Sequence, residues 1–171
     1  MKKTYVLDTN VLIQAPYAVE CFEENTVVLP MTVLEELDNM KKEEGEKGAN
    51  VRKVIRILDA HREKGNLLEG VRMEWGGILR VEKNYRNVEL PPDFPEHKSD
   101  NRILKVCVGL SNDLKEQVIL VTKDILLRIK AQLLGIQAED FGTEQVAVHE
   151  EQYLGRREVF VPEELLSLIH I

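Results

Sequence analysis

The sequence predicts an α/β fold built on a central, mainly parallel β-sheet. Short apolar runs of strand length alternate along the chain with segments of helical spacing, which is the pattern of βα units. Two of the apolar runs lead through an acid into a helical pattern, as happens at the carboxyl edge of a parallel sheet. With 171 residues, the chain is long enough for one domain with a substantial core.

The first half of the chain predicts two strands and three helices. Strands are expected at residues 3–7 and 26–29, because both runs are short and apolar. Helical patterns cover residues 16–22, 31–42 and about 51–64, the last with Val51, Val54, Ile55 and Leu58 at helical spacing. Residues 41–48 are charged and broken by glycine, so we expect a loop there.

The second half begins with a predicted hairpin. Residues 68–84 alternate in polarity around Gly76 and Gly77, which indicates an inserted pair of strands joined by a glycine turn. A stiff, proline-rich loop at residues 91–95 follows. The pattern then predicts a helix capped by Ser99, a strand at 118–121, a helix at 125–133 and a strand at 136–138. We therefore place the main domain at residues 1–141.

Residues 142–171 are predicted to form a separate C-terminal extension. Residues 157–161 are typical of a strand, and Pro162 is well placed to begin a helix.

Composition argues against several classes of protein. No apolar run is long enough to cross a bilayer and none resembles a signal peptide, so we expect a cytoplasmic protein. Cys21 and Cys107 are isolated within apolar helical patterns, which indicates core residues rather than a disulfide or a metal site. The sequence lacks the glycine-rich phosphate loop that ends in lysine and serine or threonine, so we expect no ATP hydrolysis from these residues.

Four acids lie at junctions between an apolar segment and a helix. These four residues, called the acid cluster below, are Asp8, Glu36, Asp100 and Asp124. Each one alone could simply cap a helix, because aspartate at a helix start accepts hydrogen bonds from free backbone donors. Four neighbouring carboxylates, however, would repel one another and become partly protonated unless a cation neutralised them. The cluster therefore predicts a divalent metal site.

Helical geometry distinguishes Glu36 from its neighbour Glu35. The expected buried stripe of this helix comprises Val33, Leu34, Leu37 and Met40. At about 100° per residue, Glu35 points nearly away from the stripe whereas Glu36 borders it. Glu35 has a local explanation, because Thr32 and Glu35 match a capping box. Asp100 passes the same test, since it shares the face of the apolar residues in its own helix.

Four short strings resemble the acidic motifs of PIN-domain nucleases. They are Leu7-Asp8-Thr9-Asn10-Val11-Leu12-Ile13, Val33-Leu34-Glu35-Glu36-Leu37-Asp38, Ser99-Asp100-Asn101-Arg102-Ile103-Leu104 and Val121-Thr122-Lys123-Asp124. Their order on a β/α alternation makes the resemblance specific, over residues 3–138. The third string and the tail Tyr153-Leu154-Gly155-Arg156-Arg157-Glu158-Val159 further resemble the PIN module that precedes the ATPase in PhoH-like proteins.

The resemblance implies a three-layer α/β/α domain that hydrolyses single-stranded RNA with Mg²⁺ or Mn²⁺. It implies that the acid cluster holds the metal, with Asn10 and Thr122 in support, and oxygen ligands suit these hard cations. One metal would activate water and a second would stabilise the leaving oxygen. It also implies a PhoH-like ATPase as a neighbouring domain or partner. The sequence leaves three points open. These are the number of metal ions, the preference for RNA over DNA, and whether the protein forms a homo-oligomer.

The net charge of −7 is unusual for a protein that binds nucleic acid. Basic side chains nevertheless flank the acidic motifs, and we expect Arg102 and Lys123 to contact the phosphate backbone. The alternative is that these are solvated faces balanced by nearby glutamates.

Other chemistries fit less well. A metal-free ribonuclease would need two suitably placed histidines, but His61, His97, His149 and His170 show no pairing with the acidic motifs. A haloacid-dehalogenase-type phosphatase would need aspartate where the chain has Asn10, and a receiver domain would not use Glu36 or Asp100. The main alternative is a PIN-fold module that binds RNA or a partner with little nuclease activity.

Overall fold

Six strands form one sheet in the computed structural model, which describes residues 2–142. They are β1 (Lys3–Leu7), β2 (Thr26–Pro30), β3 (Val71–Arg72), β4 (Ile78–Glu82), β5 (Gln117–Val121) and β6 (Gln137–Glu139). Their order is β3-β4-β2-β1-β5-β6, and every adjacent pair except β3–β4 is parallel. The central strands are almost wholly apolar because helices cover both faces of the sheet. The predicted mainly parallel sheet is confirmed.

Helices on the two faces complete a three-layer α/β/α fold. In the described part of the chain they are α1 (Thr9–Gln14), α2 (Met31–Met40), α3 (Gly45–Arg62), α4 (Ser99–Asp113) and α5 (Ile125–Leu133), with a 3₁₀ turn at Ala18–Glu20. Helices α1, α2 and α3 contact one another, and α4 packs against β5 and also contacts α2.

The chain changes direction across the sheet at β1. From β1 it proceeds outward through β2 to β4, and it then returns to form β5 on the other side of β1 and β6 beyond it. Loops on either side of such a switch point run in opposite directions and open a crevice at the carboxyl edge of the sheet. Asp8 directly follows β1, and Asp124 lies three residues beyond the end of β5. The topology therefore brings these two acids to the same crevice.

The two predicted N-caps at α2 and α4 were wrong. Pro30 occupies the N-cap position of α2, so Thr32 lies inside the helix and does not form a capping box with Glu35. Its buried hydroxyl instead accepts a hydrogen bond from Arg102 Nε at 2.9 Å. Lys98 occupies the N-cap position of α4, and Ser99 is already helical. In both cases the helix begins one or two residues earlier than the hydroxyl residue suggested.

The loop predicted at residues 41–48 is shorter than expected. Helix α3 begins at Gly45, and only residues 41–44 connect it to α2. Gly48 is required there by close packing, because an added Cβ would lie 1.7 Å from the carbonyl oxygen of Glu43. Arg52 Nη1 also donates to the carbonyl oxygens of Lys41 and Glu43, at 3.0 and 3.1 Å. The predicted helix at residues 16–22 is likewise reduced to the 3₁₀ turn.

The predicted hairpin is present between β3 and β4. The Met73 amide donates to the Gly77 carbonyl at 2.7 Å, and Gly76 adopts a φ of +91°, which favours glycine. Strand β4 also pairs in parallel with β2, so the second arm of the hairpin extends the central sheet. The strand predicted at 157–161, the helix start at Pro162 and the proposed extension lie outside the described residues.

Both cysteines lie in the hydrophobic core. Cys21 and Cys107 are buried, and burial raises the pKa of each thiol above its ordinary value. The interpretation of both residues as core side chains is confirmed. None of the helices in the described region is long and apolar enough to span a bilayer.

Candidate active site

Asp8 lies at the centre of the crevice, where β1 ends and α1 begins. Its side chain is only 5% exposed, and its Oδ1 accepts a hydrogen bond from the Thr9 amide at 2.8 Å. Its Oδ2 accepts a hydrogen bond from Thr122 Oγ1 at 2.7 Å. The Asp8 amide donates to the Val121 carbonyl at 3.0 Å. The carboxylate is therefore held on the border between β1 and β5.

Thr122 links Asp8 to Asp124. The hydroxyl of Thr122 is fully buried, and besides donating to Asp8 it accepts a hydrogen bond from the Asp124 amide at 3.1 Å. Asp124 caps α5 through Oδ1, which accepts from the Leu126 and Leu127 amides at 2.9 and 3.3 Å. Within the described residues Asp124 Oδ2 is not used by the cap, so this oxygen is available to a ligand.

Glu36 reaches the site through Thr9. Thr9 Oγ1 donates to Glu36 Oε1 at 3.0 Å, which joins the start of α1 to α2. Glu36 is half-buried whereas Glu35 is exposed, as the helical geometry indicated. Sequence reasoning missed Thr9 as a site residue. The only available signal was its position next to Asp8, because the contact with Glu36 depends on how α1 and α2 pack.

The members of the acid cluster act on one another electrostatically. Burial raises the pKa of Asp8, the hydrogen bonds from Thr122 and Thr9 oppose the increase, and the negative charges of Asp100 and Asp124 add to it. Burial also raises the pKa of Glu36, with a hydrogen bond from Thr9 opposing it and the charges of Asp8 and Asp100 adding to it. Asp8 is thus within electrostatic range of Glu36, Asp100 and Asp124.

The two predicted basic contacts lie in different surroundings. Arg102 is half-buried in the first turn of α4, where its bond to Thr32 ties α4 to α2 and its positive charge opposes the increase in the pKa of Glu36. Lys123 Nζ instead donates to the Phe141 carbonyl at 3.0 Å and pairs with Asp140 at 3.1 Å. Asn10 is exposed on α1, and no hydrogen bond from it to the acid cluster is found within residues 2–142.

The donor set of the acid cluster suits a hard divalent cation. All four side chains offer carboxylate oxygens, which Mg²⁺ and Mn²⁺ prefer. Among residues 2–142, however, no three aspartate, glutamate, histidine or cysteine side chains are arranged to hold one ion together.

The fold and site define a doubly wound α/β domain with acidic side chains at the carboxyl edge of its sheet. The chain belongs to the PIN domain family, whose sequence profile matches residues 5–142.

Curated relatives support the finer resemblance to PhoH-like proteins. Protein PhoH2 of Bacillus subtilis (strain 168) is 46% identical over 173 residues, which cover 98% of this chain and 39% of that protein. Protein PhoH2 of Mycolicibacterium smegmatis is 40% identical over 149 residues, which cover 85% of this chain and 34% of that protein. The predicted resemblance is confirmed, although the chain spans less than half the length of these relatives.

Two solved structures match this chain with TM-scores below 0.5. A domain of a functionally unknown protein from Methanocaldococcus jannaschii has a TM-score of 0.48 at 24% identity, and the match covers 81% of this chain and 91% of that one. A PilT N-terminus domain protein from Sulfolobus solfataricus has a TM-score of 0.43 at 12% identity, covering 94% and 99%.

Proposed function

We propose that this chain is a Mg²⁺- or Mn²⁺-dependent nuclease domain that hydrolyses single-stranded RNA in the cytoplasm. Members of the PIN superfamily are generally nucleases, which supports the reaction class. The observation that carries the proposal is the position of Asp8 and Asp124 at the carboxyl edge of the sheet, where both residues contact the buried hydroxyl of Thr122. Unpaired carboxylates are costly to bury together, and a cation would offset that cost.

In this proposal the acid cluster holds the metal. A bound divalent ion would supply a Lewis acid that lowers the pKa of a water molecule and offsets charge on the phosphodiester. Thr122 and Thr9 keep the carboxylates of Asp8 and Glu36 oriented, since each hydroxyl donates to one of them at 2.7 and 3.0 Å. Asn10 is assigned a supporting position on the exposed rim of the site.

We assign phosphate binding to Arg102 in preference to Lys123. Arg102 uses Nε to bind Thr32, which leaves the guanidinium end for a phosphate oxygen, and a guanidinium matches phosphate geometry well. Lys123 would first have to leave Asp140 and the Phe141 carbonyl. The choice of RNA over DNA rests on the family resemblance.

Cleavage of an end-labelled, unstructured RNA tests the proposal. The assay compares Mn²⁺ with EDTA, and the wild-type protein with Asp8→Asn and Asp100→Asn purified identically. Glu36→Gln and Glu35→Gln form a matched pair, because the first residue contacts Thr9 and the second is exposed one position away. We expect metal-dependent cleavage that is lost in the first three variants and retained in Glu35→Gln. Equal cleavage by Asp8→Asn would identify a contaminating nuclease and contradict the proposal.

A second candidate is an RNA-binding or interaction module that works with a PhoH-like ATPase domain or partner. It is favoured by the use of Asp124 Oδ1 as a helix cap and by the lack, within the described residues, of three side chains arranged around one ion. The greater length of the PhoH2 relatives leaves room for such a partner domain. RNA binding measured by fluorescence anisotropy, without cleavage in Mn²⁺, would favour this candidate.

A further inference from the structure

Helix α5 carries a band of exposed apolar side chains. The band, called the apolar stripe below, consists of Ile125, Leu126, Ile129 and Leu133, which are 63%, 69%, 48% and 73% exposed. At about 100° per residue these four positions lie within one arc of about 100°. Elsewhere in the described residues, Leu68 is the one other large apolar side chain with comparable exposure. Four such residues on a nine-residue helix mark an interaction surface.

The chain leaves the described region beside this stripe. Strand β6 is parallel to β5, so it ends at the carboxyl edge of the sheet, where α5 begins. Asp140 contacts both Lys123 and Arg128, at 3.1 and 3.7 Å. Lys123 also binds the Phe141 carbonyl at 3.0 Å. These contacts hold the chain against the first turns of α5 just before residue 143.

The residues that follow complement the stripe in chemistry. Residues 159–169, called the C-terminal segment below, contain seven apolar side chains, namely Val159, Phe160, Val161, Leu165, Leu166, Leu168 and Ile169. Their two charged residues, Glu163 and Glu164, are acidic, whereas α5 carries Arg128 and Lys130 and no acid. The segment thus offers both apolar surface and charge of the sign opposite to that of α5.

The connection between residue 142 and the C-terminal segment is long enough for a contact with α5 in the same molecule. The connection from residue 142 to residue 159 can extend on the order of 50 Å, at about 3.3 Å per residue. The nine residues of α5 extend only about 14 Å, at about 1.5 Å per residue. A tethered segment also binds at an effective concentration near the millimolar range, whereas a second copy must lose translational and rotational freedom. The tether therefore favours the chain's own segment over another copy.

We propose that the C-terminal segment binds across the apolar stripe of α5 in the same molecule. The contact does not depend on nuclease activity, so it stands or fails separately from the proposed function. It would bury the four exposed side chains of α5.

Hydrogen exchange of the full 171-residue chain tests this contact. The stripe variant is Leu126→Lys with Leu133→Lys, the segment variant is Leu166→Lys, and Leu68→Lys is the matched control because Leu68 is exposed beside the opposite edge strand, β3. We expect backbone amides of residues 159–169 to exchange at least about tenfold faster in the stripe and segment variants, and unchanged in the control. Unaltered exchange in β1 and β5 verifies that each variant is folded.

Two results would overturn the proposal. The first is exchange of the C-terminal segment at the same rate in wild type and in the stripe variant. The second is an oligomer that sedimentation velocity detects in wild type and not in the stripe variant, together with segment exchange that accelerates when the wild type is diluted. That second result would assign the stripe to another copy of the chain.

Discussion

Replacing Thr122 by valine should weaken the fold and the site together. The hydroxyl is fully buried, donates to Asp8 Oδ2 at 2.7 Å and accepts from the Asp124 amide at 3.1 Å. Valine has nearly the same shape, so the substitution removes polar contacts and little packing. Both lost contacts belong to residues of the acid cluster.

The expected loss is about 2–3 kcal/mol of the free energy of unfolding at neutral pH. A hydrogen bond to a charged group contributes about 1.5–3 kcal/mol. The Asp124 amide loses its partner as well, but Asp124 is only half-buried and water can replace part of that bond. For a chain of this length, each kcal/mol corresponds to about 2–4 °C, so the melting temperature should fall by about 4–12 °C.

The loss should depend on pH. The bond from Thr122 stabilises the ionised form of Asp8 and so lowers its pKa, against the increase that burial causes. Removing this bond raises the pKa of Asp8 further in the folded state. The difference in stability between wild type and variant should therefore grow as pH rises through the folded-state pKa values of Asp8 in the two proteins. Because burial keeps the pKa of Asp8 above the ordinary aspartate value of 3.8, the difference should be smaller near that pH.

Urea and thermal unfolding in EDTA, at neutral pH and near pH 4, measure both effects. Thr4→Val is the matched control, because Thr4 is equally buried and donates to Glu116 Oε2 at 3.0 Å from the other end of β1. It should lower stability and leave Mn²⁺ binding intact. A loss below about 0.5 kcal/mol for Thr122→Val, or an equal loss at both pH values, would refute the reasoning.

Three further outcomes are expected. Without metal, Asp8→Asn should be more stable than wild type at neutral pH. Because the pKa of Asp8 is raised in the folded state, the contribution of Asp8 to wild-type stability is greatest in acid and falls as pH rises through that folded pKa. Urea titration at several pH values measures this, and parallel pH profiles of the two proteins would contradict it. Millimolar Mn²⁺ should raise the melting temperature of wild type, with about 2.7 kcal/mol of stabilisation at 100 times the dissociation constant; an equal increase in Asp8→Asn would count against the site. Gly109→Ala should lower the free energy of unfolding by about 1–3 kcal/mol, measured by urea unfolding, because a Cβ would lie 2.3 Å from atoms of the Tyr85 ring. An unchanged free energy of unfolding would show that the ring moves freely.

The positions of the strands could be predicted from the local pattern of apolar residues. Strands β1 and β5 end in apolar runs because both faces of a parallel sheet are buried, and their predicted ends agree with the structure to within a residue. The helix starts were harder to predict. The glycines at residues 45 and 48 suggested a loop, but the first begins α3 and the second permits close packing inside it.

The parts of the candidate site that depend on a single helix or on the edge of the sheet could be predicted from the sequence. The inward orientation of Glu36 could be predicted from residue spacing within its own helix. The proximity of Asp8 and Asp124 could be predicted because both follow strands that end at the same edge of a parallel sheet. The bridge from Thr9 to Glu36 joins residues 27 positions apart, and the pairing of Lys123 with Asp140 depends on where the chain passes after β6. Both contacts arise from packing between elements, which local periodicity does not report.

The switch point at β1 has a consequence for synthesis on the ribosome. Asp8 is synthesised 114 positions before Thr122, whose hydroxyl donates to Asp8 Oδ2. At about 5–20 residues per second, these two residues are made on the order of ten seconds apart. Throughout that interval the nascent chain contains Asp8 and Glu36 without the strand that completes the crevice. The acid cluster therefore assembles only after β5 has been inserted beside β1, and a truncated chain that ends before β5 cannot form it.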